Sequence, residues 1–127
     1  AEREAEAGRL AALRDRLEER LRTEVPELVV NGAGAERLPH VSHVSLPGAD
    51  RELLVTALDM EGIAVSAGSA CSSGALRISH VLEAMGVEPE IAAGSVRFSL
   101  GRGTGEADVE RAASAFAAIT ARLRAFA

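Results

Sequence analysis

Gly62-Ile-Ala-Val-Ser-Ala-Gly-Ser-Ala-Cys-Ser-Ser-Gly74 passes from a short apolar run into a stretch built only of small residues. Ile63-Ala64-Val65 reads as a short strand that opens behind Gly62. From Ser66 to Gly74 every residue is Ser, Ala, Gly or Cys. Nothing there can fill a core, and helix preference is weak. The stretch reads as a mobile loop with a thiol near its tip, and that thiol, Cys71, is the only one in the chain. A lone thiol in such a setting suits sulfur delivery, because a thiolate must be exposed to act as a nucleophile. The competing reading is a buried Cys acting as a small hydrophobe. The Ser and Gly around Cys71 count against it.

Working outward, apolar residues recur at helical spacing over about Glu2 to Thr23, at Leu10, Leu13, Leu17 and Leu21, with Pro26 just beyond. Leu28-Val29-Val30 is a short strand candidate closed by Asn31-Gly32, and Gly32 to Pro39 is a polar loop. Val41 to Leu46 alternates imperfectly as a strand and ends at Pro47-Gly48. Asp50 can cap a helix to about Glu61, with Leu53, Leu54, Ala57 and Leu58 inward and Gly62 as its stop. After the Cys71 loop, Ser79 can cap a short helix through Met85. Val96 to Leu100 is a strand. Beyond a turn at Gly101–Gly105, Thr104 or Gly105 opens a long helix with Val109, Ala112, Phe116, Ile119 and Leu123 on one face. This order predicts an α+β fold, a small sheet of about three or four strands packed against helices. Strand order does not follow from it.

The 127 residues are read as a single domain, 1–127. A net charge of −5 and the lack of a basic cluster or an aromatic stacking platform argue against nucleic acid. No apolar run approaches membrane-spanning length, and no signal peptide is visible at the acidic, Arg-rich start. A single cysteine fits a reducing compartment, so the expected localisation is cytoplasmic. No His/Cys/Asp/Glu spacing resembles a metal site. All fourteen basic side chains are Arg. Chemistry that needs a Schiff-base lysine therefore cannot be completed by this chain alone.

The segment Gly62–Gly74, with Ser79-His-Val-Leu-Glu-Ala-Met-Gly86 and Ser95-Val-Arg-Phe-Ser-Leu-Gly-Arg102, resembles the C-terminal small domain of cysteine desulfurases. These are pyridoxal-phosphate enzymes of the class V aminotransferase type, with the fold-type I architecture. The likeness extends back more weakly through Leu38-Pro-His40 and Val44-Ser-Leu-Pro-Gly48 to the first helix. It implies that Cys71 accepts sulfur from L-cysteine as a persulfide, with alanine released. The persulfide then passes to a sulfur acceptor or iron-sulfur scaffold protein, or serves thio-cofactor and tRNA thiolation. It also implies that Arg97 holds the substrate carboxylate, a role that suits a guanidinium fork. The outward strand Arg is the plainer alternative.

The family's large cofactor-binding domain is absent from these residues, and with it the lysine and the phosphate-binding groups. Pyridoxal phosphate and a homodimer are therefore expected of the complete enzyme, and no activity of the isolated chain. Where many relatives carry Asn, this chain has His43. His40 and His43 could mimic a catalytic pair but read better as satisfied surface or edge residues, Arg102 as a structural or inter-domain contact, and His80 as an exposed first-turn residue. Two rival functions stay open, a stand-alone persulfide carrier without cofactor and a structural domain that has lost the chemistry.

Overall fold

The computed structural model describes residues 2–31, 38–66 and 94–125. The elements run α1 (Glu2–Glu24), β1 (Val29–Val30), β2 (Val41–Ser45), α2 (Arg51–Met60), β3 (Val65–Ser66), β4 (Ser95–Ser99) and α3 (Glu106–Ala125). The four strands form one sheet in the order β1-β2-β4-β3, every pair antiparallel. The fold is the expected α+β arrangement. Cys71 with its loop, the Ser79–Met85 segment and His80 lie outside the described residues.

Local chemistry accounts for the helix ends. Asp50 Oδ1 accepts from Glu52 N at 2.8 Å and Leu53 N at 3.4 Å, the N-cap read from the sequence. Gly62 follows the last turn of α2 at φ +80°, a conformation that a side chain resists. At α3, Asp108 Oδ2 accepts from Gly105 N at 2.8 Å, so Gly105 is the residue that opens the helix.

One core joins the three helices to one face of the sheet. Leu10, Leu13, Leu17 and Leu21 of α1 meet Val109, Ala112, Phe116 and Ile119 of α3, with Val44, Val96 and Phe98 from the central strands. The Phe98 and Phe116 rings lie 6.1 Å apart and tilted by 59°, a favourable aromatic contact. Arg16 and Arg20 of α1 both reach Glu110 of α3, at 2.8 and 2.9 Å. Pairs this near the surface add little stability.

One reading of side-chain direction needs correction. Leu53 is 56% exposed, because the buried stripe of α2 is Leu54 and Leu58, flanked by Val55 and Ala57. A residue one step ahead of that stripe is turned about 100° out of it. In β2, Val44 points to the core together with Ser42, while Val41 is only half-buried. Ser42 is tolerated there because its Oγ donates to Glu18 Oε2, itself buried, at 2.6 Å. This polar pair is why the alternation looked imperfect.

Gly94 leads into β4 at a close backbone approach. A Cβ built there would fall 2.1 Å from Leu46 O and 2.9 Å from Ala49 O. Leu46 N donates to Gly94 O at 2.9 Å, so the contact cannot open without losing that bond. Gly94→Ala is expected to destabilise the fold by about 1–3 kcal/mol, the range for overpacking against unyielding neighbours. Thermal melting checks this, and an unchanged midpoint would show that the turn has room the structure does not display.

Candidate functional site

The face of the sheet away from the helical core carries the odd-numbered residues of β2 and β4. Register places His43 opposite Arg97 and Ser45 opposite Ser95. On the other side of β4, Ser66 stands opposite Arg97. Bonds from Leu46 N to Gly94 O and from Leu100 N to His40 O assign the even-numbered β2–β4 pairs to the hydrogen-bonded class. The odd pairs are then the close class, with Cα atoms about 4.5 Å apart and side chains in contact range. Asn31, just past β1, donates its backbone N–H to His43 O at 2.9 Å. A polar row thus crosses the whole sheet: Asn31, His43, Arg97, Ser66.

The row is partly bonded and partly not. Asn31 Nδ2 donates to Ser45 Oγ at 2.8 Å and lies 3.4 Å from His43 Nδ1. The hydroxyls of Ser45 and Ser95 pair at 2.5 Å. In contrast, Asn31 Oδ1, His43 Nε2 and Arg97 Nε are buried without a hydrogen-bond partner among the described residues. Only Thr120 Oγ1 shares that condition there. Each such atom costs about 1–3 kcal/mol of desolvation. Three in one row set it apart among the described residues, since buried polar groups are ordinarily paired.

Arg97 is half-buried in a central strand, and no carboxylate pairs with it among the described residues. Arg16, Arg20, Arg122 and Arg124, by comparison, all have acidic partners. Burial, and then the neighbouring Arg97 charge, hold the His43 imidazole below its ordinary value. The expectation of a satisfied surface or edge histidine is therefore corrected. His43 is on a central strand, partly buried, and its Nε2 is unmatched among the described residues. Nor does any bond among the described residues join it to His40, which lies in the turn before β2. His40 lines a groove with Pro39, Arg102 and the start of α1.

The depressed imidazole makes a prediction about acid stability. Below about pH 6.5 the unfolded chain binds a proton that the folded chain refuses. With more protons on the unfolded state, stability rises with pH, so it is lost as pH falls from about 6.5 toward the lowered folded value. His43→Asn is expected to flatten this part of the profile, read as urea midpoints across the acid range. Parallel losses in parent and variant would place the titration elsewhere.

Arg102 contributes through its backbone. Its carbonyl accepts from Arg9 Nη2 at 2.9 Å, and Arg9 Nη1 also reaches Thr104 O at 2.6 Å, tying α1 to the turn after β4. A cleft of about 230 Å³ lies beside Ile63, Phe98, Leu100 and Val109, against core residues, and includes neither His43 nor Arg97. Among the described residues no group of His, Cys, Asp and Glu could hold a metal ion. None of the described helices is long and apolar enough to cross a membrane.

Cys71 enters only through the covalent chain. Ser66 faces Arg97, and Cys71 follows it by five residues. Five residues span at most roughly 18 Å, which bounds how far the backbone of Cys71 can lie from that of Ser66. Asn31, Ser45, Ser66 and Ser95 were not singled out from sequence as neighbours of Arg97 and His43 in one polar row. Their signal was only a scatter of polar residues in short strands, which becomes a site once register is known.

The aminotransferase class-V family model matches residues 2–112. A cysteine desulfurase from Trichormus azollae is 43% identical over 113 residues, covering 89% of this chain and 28% of the relative. The cysteine desulfurase IscS from Anaeromyxobacter sp. (strain K) is 43% identical over 123 residues, covering 97% of this chain and 30% of the relative. The solved structure of a NifS-like protein from Rickettsia africae superposes with a TM-score of 0.76 at 29% identity, over 91% of this chain and 29% of that one. The chain spans less than a third of the length of the relatives it matches.

Proposed function

This chain belongs to the aminotransferase class-V family, and from that premise we propose that its 127 residues are the small domain of a cysteine desulfurase. In this reading Arg97 binds the carboxylate of L-cysteine and Cys71 takes its sulfur as a persulfide, with alanine released. The persulfide is then handed to an acceptor or iron-sulfur scaffold protein, and the complete enzyme works as a homodimer in the cytoplasm. The observation that carries the reading is the Arg97 guanidinium in the sheet's polar row, its buried Nε without a partner among the described residues, opposite the residue from which the chain runs to Cys71.

Pyridoxal phosphate, when bound in the complete enzyme, supplies the electron sink for breaking the substrate's carbon–sulfur bond. The residues of this chain do not fit the role of its anchor: no lysine occurs among them. They fit the substrate side. A fork of two parallel N–H donors fixes a carboxylate in position and plane. With the carboxylate held on the central strand, the substrate's own length decides how far its sulfur stands from the sheet, and the Cys71 tether decides which thiol can reach it. A thiol that must both receive sulfur and release it to another protein needs small neighbours and access, which the Ser66–Gly74 composition supplies.

The test is persulfide mapping. The complete enzyme is given L-cysteine, alkylated and digested, and the peptide containing Cys71 is weighed. Extra mass of one sulfur atom on Cys71 supports the assignment. Alanine production with Cys71 unmodified at every time point would remove it. The rival carrier reading predicts instead that Cys71 in this chain alone becomes persulfidated by a separate donor protein.

A further inference from the structure

Two buried side-chain nitrogens stand on directly opposed residues with no partner among the described residues. His43 and Arg97 form one of the close cross-strand pairs, and both His43 Nε2 and Arg97 Nε are unmatched among the described residues. The Asn31 amide bears on which imidazole nitrogen carries the proton. Its Nδ2 is a donor, bonded to Ser45 Oγ and 3.4 Å from His43 Nδ1. With the amide nitrogen of Asn31 turned toward the ring, Nδ1 accepts, and in that arrangement the proton of the neutral ring sits on Nε2. Buried polar atoms are ordinarily paired. Here two adjacent N–H groups want the same thing, an oxygen with free lone pairs, and a carboxylate supplies one for each.

We propose that His43 is a second substrate-binding residue of the Arg97 site, its neutral Nε2–H donating to the carboxylate that the guanidinium also holds. This rests on the reading of Arg97 given above and extends it to the neighbour in β2. The surroundings suit an uncharged donor. Facing His43 from the described elements are Asn31 after β1, Ser45 on β2, Ser95 and Arg97 on β4, and Ser66 on β3 beyond Arg97. Arg97 is the one charged group among them. It balances a single carboxylate, and an uncharged imidazole adds a hydrogen bond without adding charge. A bound carboxylate offsets the Arg97 charge, so the His43 pKa rises on binding.

The holoenzyme, labelled with ¹⁵N-histidine, is titrated with L-alanine and, separately, with L-alaninamide, which lacks the carboxylate. Alanine is expected to move the His43 Nε2 resonance and raise its pKa, and alaninamide to do neither. His43→Leu is expected to weaken alanine binding roughly ten- to a hundredfold, the loss of one hydrogen bond to a charged group. His43→Gln, whose amide nitrogen stands near the Nε2 position, should recover most of it. Arg97→Ala tests the underlying reading. If Arg97→Ala loses alanine while His43→Leu binds it like the parent, His43 is not a ligand and Arg97 keeps its role. If Arg97→Ala binds alanine unchanged, the carboxylate site itself is misplaced. Should His43→Leu fail to fold, the titration of the unaltered protein decides, and a His43 resonance indifferent to alanine overturns the proposal.

Discussion

Arg97→Ala is expected to weaken cysteine binding by about 2–5 kcal/mol, roughly thirty- to several-thousandfold, in the complete enzyme. Cofactor binding should change little. The large figure follows from the environment. The side chain is half-buried, and among the described residues its Nε has no partner and no carboxylate offsets its charge. An exposed, already paired arginine such as Arg16 would cost far less. Arg97→Lys should recover part of the loss, because a point charge attracts a carboxylate but cannot hold it in a plane. The measurement is the cofactor absorbance change on adding cysteine, titrated for parent and variants. Parent-like binding by Arg97→Ala would sink the carboxylate assignment.

Cys71→Ser should show the opposite division. Cysteine should bind within about twofold of the parent, while sulfur transfer falls by about three orders of magnitude or more, as expected for loss of a nucleophile. A serine hydroxyl has nearly the size of the thiol but is not ionised near neutral pH and cannot hold a persulfide. Alanine release and persulfide mapping are read side by side. The parent thiol should also react with a disulfide reagent in the folded state at close to its unfolded rate. Protection lifted only by denaturant would make Cys71 a core residue and end its candidacy. Together with Arg97, this variant separates holding the substrate from accepting its sulfur.

Corrections cluster where polar residues meet the sheet. The leucine spacing of α1 and the apolar face of α3 were legible, because a helix repeats its face locally and Leu10, Leu13, Leu17 and Leu21 obey that repeat. The Asp50 cap and the Gly62 stop were legible for the same reason, as each acts within one turn. Ser42 and Glu18 were not. Each reads as a polar residue bound for solvent, and only their mutual bond, 24 positions apart, makes both interior. His43 was misjudged on the same ground.

What the sequence determined alone is chemical and local. It sets the helix periods, the small-residue run around Cys71, and the absence of lysine, which places any Schiff-base anchor elsewhere. The tertiary structure decided everything that depends on register. β4 lies between β2 and β3, strands distant from one another in the chain, and that insertion brings Asn31, His43, Arg97 and Ser66 into one row. Side chains alternate along a strand, so a slip of one residue would send Arg97 into the apolar core and Phe98 out of it. The core prevents the slip: Val44, Val96 and Phe98 must pack against Phe116 and the leucines of α1. Arg97 is where it is because its two neighbours, Val96 and Phe98, have to be buried.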